Sequence, residues 1–172
     1  MPKGERYPKL GEGVVLTDTP YRIAQVTLDE KTVIRRNSDV EHERAVAIAD
    51  LLEQNSFVPK SGIAGPFNLH LSIAEERLVL DVRDTSDKPL ERLTLSLAPF
   101  RGLVKDYFLV CESYFSAVKT ADPSRIEAID MGRRSLHNEG SQLMRDNLAD
   151  TVEIDFNTAR RLFTLLCVLH IR

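Results

Sequence analysis

Apolar and polar residues alternate along three consecutive segments in the middle of the chain, residues 67–73, 78–83 and 93–97. Polar turns, at 75–76 and 84–89, separate them. A period of two is typical of strands that bury one face and expose the other to water. We therefore predict a three-stranded antiparallel meander.

Two further segments predict flanking strands. Residues 21–28 alternate less cleanly, which suggests a strand buried on both faces, and residues 151–156 predict a short last strand. Residues 58–66 contain two prolines and two glycines and predict a loop.

Helical spacing appears in two segments with clear apolar stripes. In residues 100–118 apolar side chains recur every three or four positions, which predicts a helix, the second along the chain. We expect it to cover the apolar face of the meander. The first helix begins at Ser38, which forms a capping box with Glu41. Its predicted inward stripe consists of Ala45, Ile48, Ala49 and Leu52.

Two more helices follow. The third begins with Asp122 as N-cap and Pro123 as its first residue, and it either continues to about residue 150 or breaks near Gly140. The fourth is capped by Asn157 or Thr158 and is apolar almost all round up to residue 169, so it is either central or pressed against a partner chain.

Together these elements predict an α+β fold. We expect one domain over residues 20–172, with an antiparallel sheet of about four to five strands carrying about four helices in one layer on one sheet face. Residues 1–19 are rich in proline and glycine and predict a flexible N-terminal arm.

Composition excludes several classes of protein. The 172 residues are 42% hydrophobic and 28% charged, with a net charge of -3. The negative net charge argues against a nucleic-acid-binding protein, and the apolar fraction argues against a disordered chain. No apolar run approaches the roughly 20 residues of a membrane span, and the N-terminus does not resemble a secretory signal. We expect a cytoplasmic protein in which Cys111 and Cys167 are buried free thiols.

The type of basic residue changes along the chain. After Lys119 every basic residue is an arginine, whose planar fork binds carboxylates and phosphates in a bidentate way. These arginines are Arg125, Arg133, Arg134, Arg145, Arg160, Arg161 and Arg172. Acidic residues are interspersed among them, so internal ion pairing is the simpler interpretation and an anion site is the sharper alternative.

The third helix carries the main candidate site. Asp130, Arg134, His137 and Ser141 lie at offsets of 0, 4, 7 and 11, which places them on one helix face. Arg133 and Glu139 flank this stripe, and Gly132 and Gly140 remove bulk beside it. The simpler interpretation is a solvated face with a weak Asp130–Arg134 pair. The alternative is a small-anion site in which His137 donates or accepts a proton.

His42 on the first helix joins this candidate set, although a histidine satisfied at the edge of the core is the alternative. A metal would need His42, Glu43, His137 and Glu139 to meet. Neither an HExxH motif nor a Cys/His cluster is present, so we expect no metal and no cofactor.

Motifs typical of known catalytic sites are also missing. The sequence contains no P-loop, no GxGxxG and no GxSxG around Ser141. Arg160 and Arg161 near the start of the fourth helix oppose the helix dipole. We expect an acid from the third helix or the last strand, or else a bound anion, to compensate them.

Several longer motifs, in order, resemble an uncharacterised bacterial protein family over about residues 21–172. They are DVEHERA (39–45), VKDYF (104–108), EAIDMGRR (127–134), LHNEGS (136–141), and EIDF (153–156) with TARRLF (158–163). The resemblance implies a cytoplasmic bacterial protein and brings no activity, substrate or catalytic residue.

Two functional hypotheses follow. The first is a non-catalytic binding or regulatory module that acts through a protein partner or a homodimer. The second is an enzyme or sensor for a small phosphate- or carboxylate-bearing ligand, built on the cluster at residues 130–141.

Overall fold

A computed structural model describes residues 20–29, 38–120 and 122–170 of the chain. The predicted arm at residues 1–19 lies outside these residues, as does the side chain of Ser38 and with it the predicted capping box. The described helices are α1 (Ser38–Glu53), α2 (Arg101–Thr120), α3 (Pro123–Leu148) and α4 (Phe156–Leu169). The strands are β1 (Ile23–Leu28), β2 (Phe57–Pro59), β3 (Phe67–Ala74), β4 (Arg77–Arg83), β5 (Pro89–Ser96) and β6 (Val152–Ile154).

The α+β class and the meander are confirmed. Strands β3, β4 and β5 pair in antiparallel order, and Glu75 and Glu76 form the turn between β3 and β4 with positive φ angles of 52° and 59°. The prediction of an antiparallel sheet throughout is wrong, because β1 pairs with β3 in parallel and makes the sheet mixed, in the order β1-β3-β4-β5. A parallel pair needs a long crossover, and α1 lies within the connection from β1 to β3.

The two short strands β2 and β6 form a separate antiparallel sheet. The predicted last strand is therefore confirmed as β6 but does not flank the main sheet. Part of the predicted loop is also a strand, since Val58 and Pro59 belong to β2 and are paired with Glu153 and Val152. All three residues of β2 are buried, which explains why alternation gave no indication of it.

The inward face of α1 differs from the predicted stripe. Ala47 and Leu51 are buried, Ile48 and Leu52 are half-buried, whereas Ala45 and Ala49 are exposed. Nearly every residue from 45 to 52 is apolar, so the helical period does not select one face.

Asn55, just beyond α1, joins this helix to β1. Its side chain is buried, donates to the carbonyl oxygens of Ile23 (3.0 Å) and Leu51 (2.7 Å), and accepts from the N–H of Ile23 (2.6 Å). The bond to the N–H of Ile23 satisfies a buried backbone donor, and the other two add a donor to carbonyl oxygens of β1 and α1.

Helix α2 buries less of its apolar stripe than predicted. Val104, Tyr107 and Cys111 are buried, but Val118 is exposed and Phe115 is only half-buried. The thiols of Cys111 and Cys167 are both buried and free, as predicted.

Helix α3 is continuous past Gly140, and the predicted N-cap is confirmed, since Asp122 accepts a hydrogen bond from the N–H of Arg125. Gly140 packs directly against the buried ring of Phe163 in α4. The absence of a side chain at Gly140 therefore allows α3 and α4 to pack closely where they cross, and the helix does not end there.

Helix α4 is the centre of the core. Every residue from Leu162 to Leu169 is buried, which accounts for its apolar character on all sides without a partner chain. Its N-cap is Asp155, which accepts from the N–H of Thr158, and neither Asn157 nor Thr158 takes this position. Asp155 lies inside the strand predicted at residues 151–156, whereas β6 already ends at Ile154 and leaves Asp155 to cap the helix.

Candidate functional site

Four helices enclose a cleft of about 640 Å³. On three of them the lining residues recur every three or four positions, so each helix turns one continuous face to the cleft. The lining residues are His42, Glu43, Val46, Ala47 and Asp50 of α1, Tyr114 and Phe115 of α2, Asp130, Arg133, Arg134 and His137 of α3, and Asn157, Arg160, Arg161 and Thr164 of α4.

The cleft brings together five of the seven predicted site residues, namely Asp130, Arg133, Arg134, His137 and His42. It does not include Glu139 or Ser141. Glu139 is exposed, and it lies nine residues, or about two and a half turns, from Asp130, which places it on the opposite face of α3. Ser141 is fully buried where α3 packs against α4, and its hydroxyl donates to the carbonyl oxygen of His137.

Arginines 133 and 134 are paired with carboxylates, as the simpler interpretation predicts. The Arg134 guanidinium donates two hydrogen bonds to Asp130, with its Nε 2.9 Å from Oδ2. Arg133 donates from Nη2 to the other oxygen of Asp130 at 3.1 Å. The hydrogen bond from Arg134, together with that from Arg133, lowers the pKa of Asp130, so this carboxylate stays ionised.

Arg133 is also held from α1 and α2. Its Nη1 lies 3.5 Å from Oε2 of Glu43, whose other oxygen accepts a 2.6 Å hydrogen bond from the buried Tyr107 hydroxyl. Burial is the main reason why the pKa of Tyr107 is raised, so the hydroxyl remains a donor. The Arg133 guanidinium covers the ring of Tyr114, 4.5 Å from its centroid.

The partner of Arg161 differs from the prediction. Its Nη2 lies 3.6 Å from Oδ2 of Asp50, an acid on α1 rather than on α3 or β6. The packing of α1 beside α4 brings these two residues together, and neither sequence separation nor helical period indicates such a contact.

Arg160 has no such partner. Its guanidinium makes no ion pair or hydrogen bond with any residue that the structure describes, although the residue is half-buried. Its pKa is lowered by burial and by the charges of Arg161, Arg133 and Arg134. A cation in this position is therefore held among other cations in the free protein.

His137 is the second unsatisfied group. It is 8% exposed, and its buried Nδ1 has no hydrogen-bond partner among the described residues. The rings of Tyr107 and Phe163 lie edge-on to it, with centroid distances of 5.1 Å and 6.2 Å. Burial, followed by the charges of nearby arginines, lowers the pKa of His137 to about 4, so the imidazole is neutral at pH 7.

The arrangement is suited to holding an anion by charge-assisted hydrogen bonds. Sequence reasoning singled out Arg160 and Arg161 as needing compensation but left them outside the candidate site. The spacing of Asn157, Arg160 and Thr164 on α4 repeats that of Asp130, Arg133 and His137 on α3, and this pattern is the sequence signal that could have added Arg160 to the site.

Neither a metal centre nor a membrane helix stands out in the described ranges. No three His, Cys, Asp or Glu side chains among those residues come together in a way that would hold a metal ion. No helix within the same ranges is both long and apolar enough to cross a membrane.

Comparison with known proteins places the chain in a family. The model of an uncharacterised protein family, UPF0262, matches residues 20–172. The chain belongs to this family. A UPF0262 protein of Rhodospirillum rubrum is 60% identical over 157 residues, which cover 91% of this chain and 96% of that protein.

Other UPF0262 proteins are similarly related. The one from Azorhizobium caulinodans is 56% identical, with 90% of this chain and 96% of its own length covered, and the one from Paramagnetospirillum magneticum is 54% identical, with 89% and 99% covered. No solved structure matches the chain. The predicted resemblance to an uncharacterised bacterial family is thus confirmed, and an argument about function depends on the cleft.

Proposed function

We propose that this UPF0262 protein binds a small anion, carrying a phosphoryl or carboxyl group, in the cleft between α1, α2, α3 and α4. One observation carries the proposal: Arg160 is half-buried beside three other arginines and lacks a carboxylate partner among the described residues. Placing a cation there is unfavourable in the free protein, and a bound anion would reverse that.

The charges of the lining residues support this proposal. The cleft is lined by four arginines and three carboxylates, and three of the arginines are within ion-pair distance of those carboxylates. The excess positive charge is thus assigned to Arg160. The positive end of the α4 dipole adds to it, since Asn157 and Arg160 lie in the first turns of that helix.

His137 supplies a second group for such a ligand. In its neutral form the imidazole offers one donor and one acceptor nitrogen, and the buried Nδ1 is unused. Burial is the main cause of the lowered pKa of His137, and an anion beside Arg160 would offset the second cause, the positive charges of the nearby arginines. Binding therefore favours protonation of this histidine, and affinity for the anion is expected to rise as the pH falls toward 5.

The predicted protein partner or homodimer stays a separate hypothesis. It rests on the absence of a catalytic motif in the sequence and names the fourth helix or the surface of the third as the contact; the apolar residues of α4 are buried within this chain. The cleft therefore gives a more specific basis for a functional proposal than α4 does. We propose that it binds an anion, and we propose no reaction.

The test is a calorimetric titration with inorganic phosphate and with acetate, using Arg160→Gln as the key variant. We expect the variant to lose binding while its thermal stability equals or exceeds that of the parent, because Arg160 has no internal ion pair among the described residues. Arg125→Gln is the matched control, since Arg125 is an exposed arginine of α3 outside the cleft, and it should bind like the parent.

Two results would contradict the proposal. One is undiminished anion binding by Arg160→Gln. The other is a clear loss of stability in Arg160→Gln without ligand, which would show that the folded chain itself uses this charge.

A further inference from the structure

The cleft is large for a single oxyanion. Its volume of about 640 Å³ falls in the range of pockets that enclose whole metabolites or drug-sized molecules, about 300–1,000 Å³. The arginines and His137 account for only part of the lining. The remaining wall indicates what kind of ligand would fill the rest of the space.

One part of that wall, formed by Val46, Tyr114 and Phe115, is apolar or aromatic and lies next to the basic cluster. Val46 is 43% exposed on α1, one helical turn from both His42 and Asp50, and Phe115 and Tyr114 of α2 are half-buried. Because the Arg133 guanidinium covers the Tyr114 ring at 4.5 Å, the apolar wall continues directly into the charged part of the cleft.

Val46 differs from the other exposed large hydrophobic residues of the described chain. Leu109, Val118 and Met131 are exposed on helix surfaces outside the cleft, where scattered apolar residues are normal. Val46 alone among these four lines a concave site that also contains an unpaired cation.

We infer that the cleft takes an organic anion, with one phosphoryl or carboxyl group on a body that has an apolar or aromatic face, rather than a free inorganic ion. The charged group lies at Arg160, and the body lies against Val46, Phe115 and the Tyr114 side of the cleft. This inference rests on the proposed function, because it assumes that the anion binds at Arg160.

The experiment compares two matched pairs of probes by calorimetry: inorganic phosphate with phenyl phosphate, and acetate with benzoate. Burial of an aryl ring against an apolar wall is expected to strengthen binding by about tenfold or more within a pair. The pair that binds more tightly identifies the charged group. This measurement on the parent protein requires no variant.

A variant then locates the aryl ring. Val46→Gln replaces an apolar side chain with an uncharged polar one at an exposed helical position, and it should remove most of the aryl advantage while leaving phosphate or acetate binding unchanged. The matched control is Leu109→Gln, which changes an exposed apolar residue of α2 outside the cleft and should preserve the advantage.

The outcomes separate this inference from the proposed function. Equal affinities within both pairs, or an aryl advantage that Val46→Gln leaves intact, would overturn the inference, while loss of all binding in Arg160→Gln would still support anion binding. If no probe binds, or if Arg160→Gln binds every probe as the parent does, the proposed function fails as well.

Discussion

Two glycines of the same helix should respond in opposite ways to the same substitution. Gly132 and Gly140 both lie inside α3, and alanine is favoured over glycine in a helix by about 1 kcal/mol. An added Cβ at Gly132 has no atom within 4 Å, whereas one at Gly140 would lie within 2.6 Å of three ring carbons of Phe163. Both substitutions to alanine therefore gain the same helix propensity, but only the one at Gly140 forces the added Cβ against a neighbouring side chain.

The size of the difference follows from the surroundings of Phe163. Its ring is fully buried between Phe100, Tyr107 and His137, so it has little room to move away from α3. We expect an overpacking cost at the upper end of the usual range, about 3 kcal/mol. After the propensity gain, Gly140→Ala should lower the free energy of unfolding by about 2 kcal/mol.

The control variant, Gly132→Ala, should raise the free energy of unfolding by about 0.5–1 kcal/mol. Urea unfolding followed by circular dichroism measures both values against the parent. If Gly140→Ala proves as stable as the parent, then Phe163 is not held against α3, and the account of how Phe163 and Tyr107 enclose His137 is refuted. A destabilised Gly132→Ala would instead refute the helical, unobstructed environment assigned to that glycine.

Three more predictions concern stability. Asn55→Ala should lower the free energy of unfolding by about 2–4 kcal/mol, because it leaves the buried N–H of Ile23 unpaired and removes a donor from the carbonyl oxygens of Ile23 and Leu51; a loss below 1 kcal/mol in urea unfolding would contradict this role. Replacing Glu75 with Asn and Glu76 with Gly should stabilise the protein by about 1 kcal/mol, since both positions have positive φ, and thermal unfolding that shows no gain would argue against this turn geometry. Because the pKa of His137 is about 4 in the folded protein and about 6.5 in the unfolded chain, the unfolded state takes up a proton first as the pH falls. Above pH 6.5 His137 should not affect the free energy of unfolding, and between pH 6.5 and 4 it should lower that free energy by up to roughly 3 kcal/mol. His137→Leu should lack this part of the pH dependence. An NMR titration midpoint near 6.5 for His137 in the folded protein would contradict the prediction.

Local chemistry in the sequence was enough to predict elements whose limits are set by local interactions. Asp122 and Pro123 mark the start of α3 because an N-cap and a proline act on their own helix turn. The meander is similarly local, since β3, β4 and β5 follow one another with short turns. These predictions required no knowledge of distant contacts.

Elements that depend on distant pairing were harder to predict. Whether β1 runs parallel or antiparallel in the sheet is decided by its pairing with β3. Similarly, β2 exists as a strand because it pairs with β6, which lies about a hundred residues later. A run of buried residues such as Phe57–Pro59 carries no alternation. Gly140 was misinterpreted for the same reason, because its partner Phe163 belongs to another helix.

In the candidate site, too, the features set by local spacing were predictable and those set by distant contacts were not. Helical periodicity predicted that Asp130, Arg134 and His137 share one face, and all three line the cleft. That face continues to Ser141 in sequence, but the close contact of Gly140 with Phe163 closes the cleft before it. The partnership of Arg161 with Asp50 required the packing of α1 on α4, which the sequence did not specify.

The pairing of the arginines narrows the question that the sequence left open. Internal ion pairs and a site for an outside anion were posed as alternatives for the same set of side chains, and the cleft contains both. Arg133, Arg134 and Arg161 are each matched to a carboxylate within the fold, so their charges are offset without a ligand. Among the described residues Arg160 is left without a carboxylate on the α4 side of the cleft, and His137, on the α3 side, has a buried Nδ1 with no partner. An anion bound beside Arg160 would offset this uncompensated charge, and that is the physical basis of the function we propose.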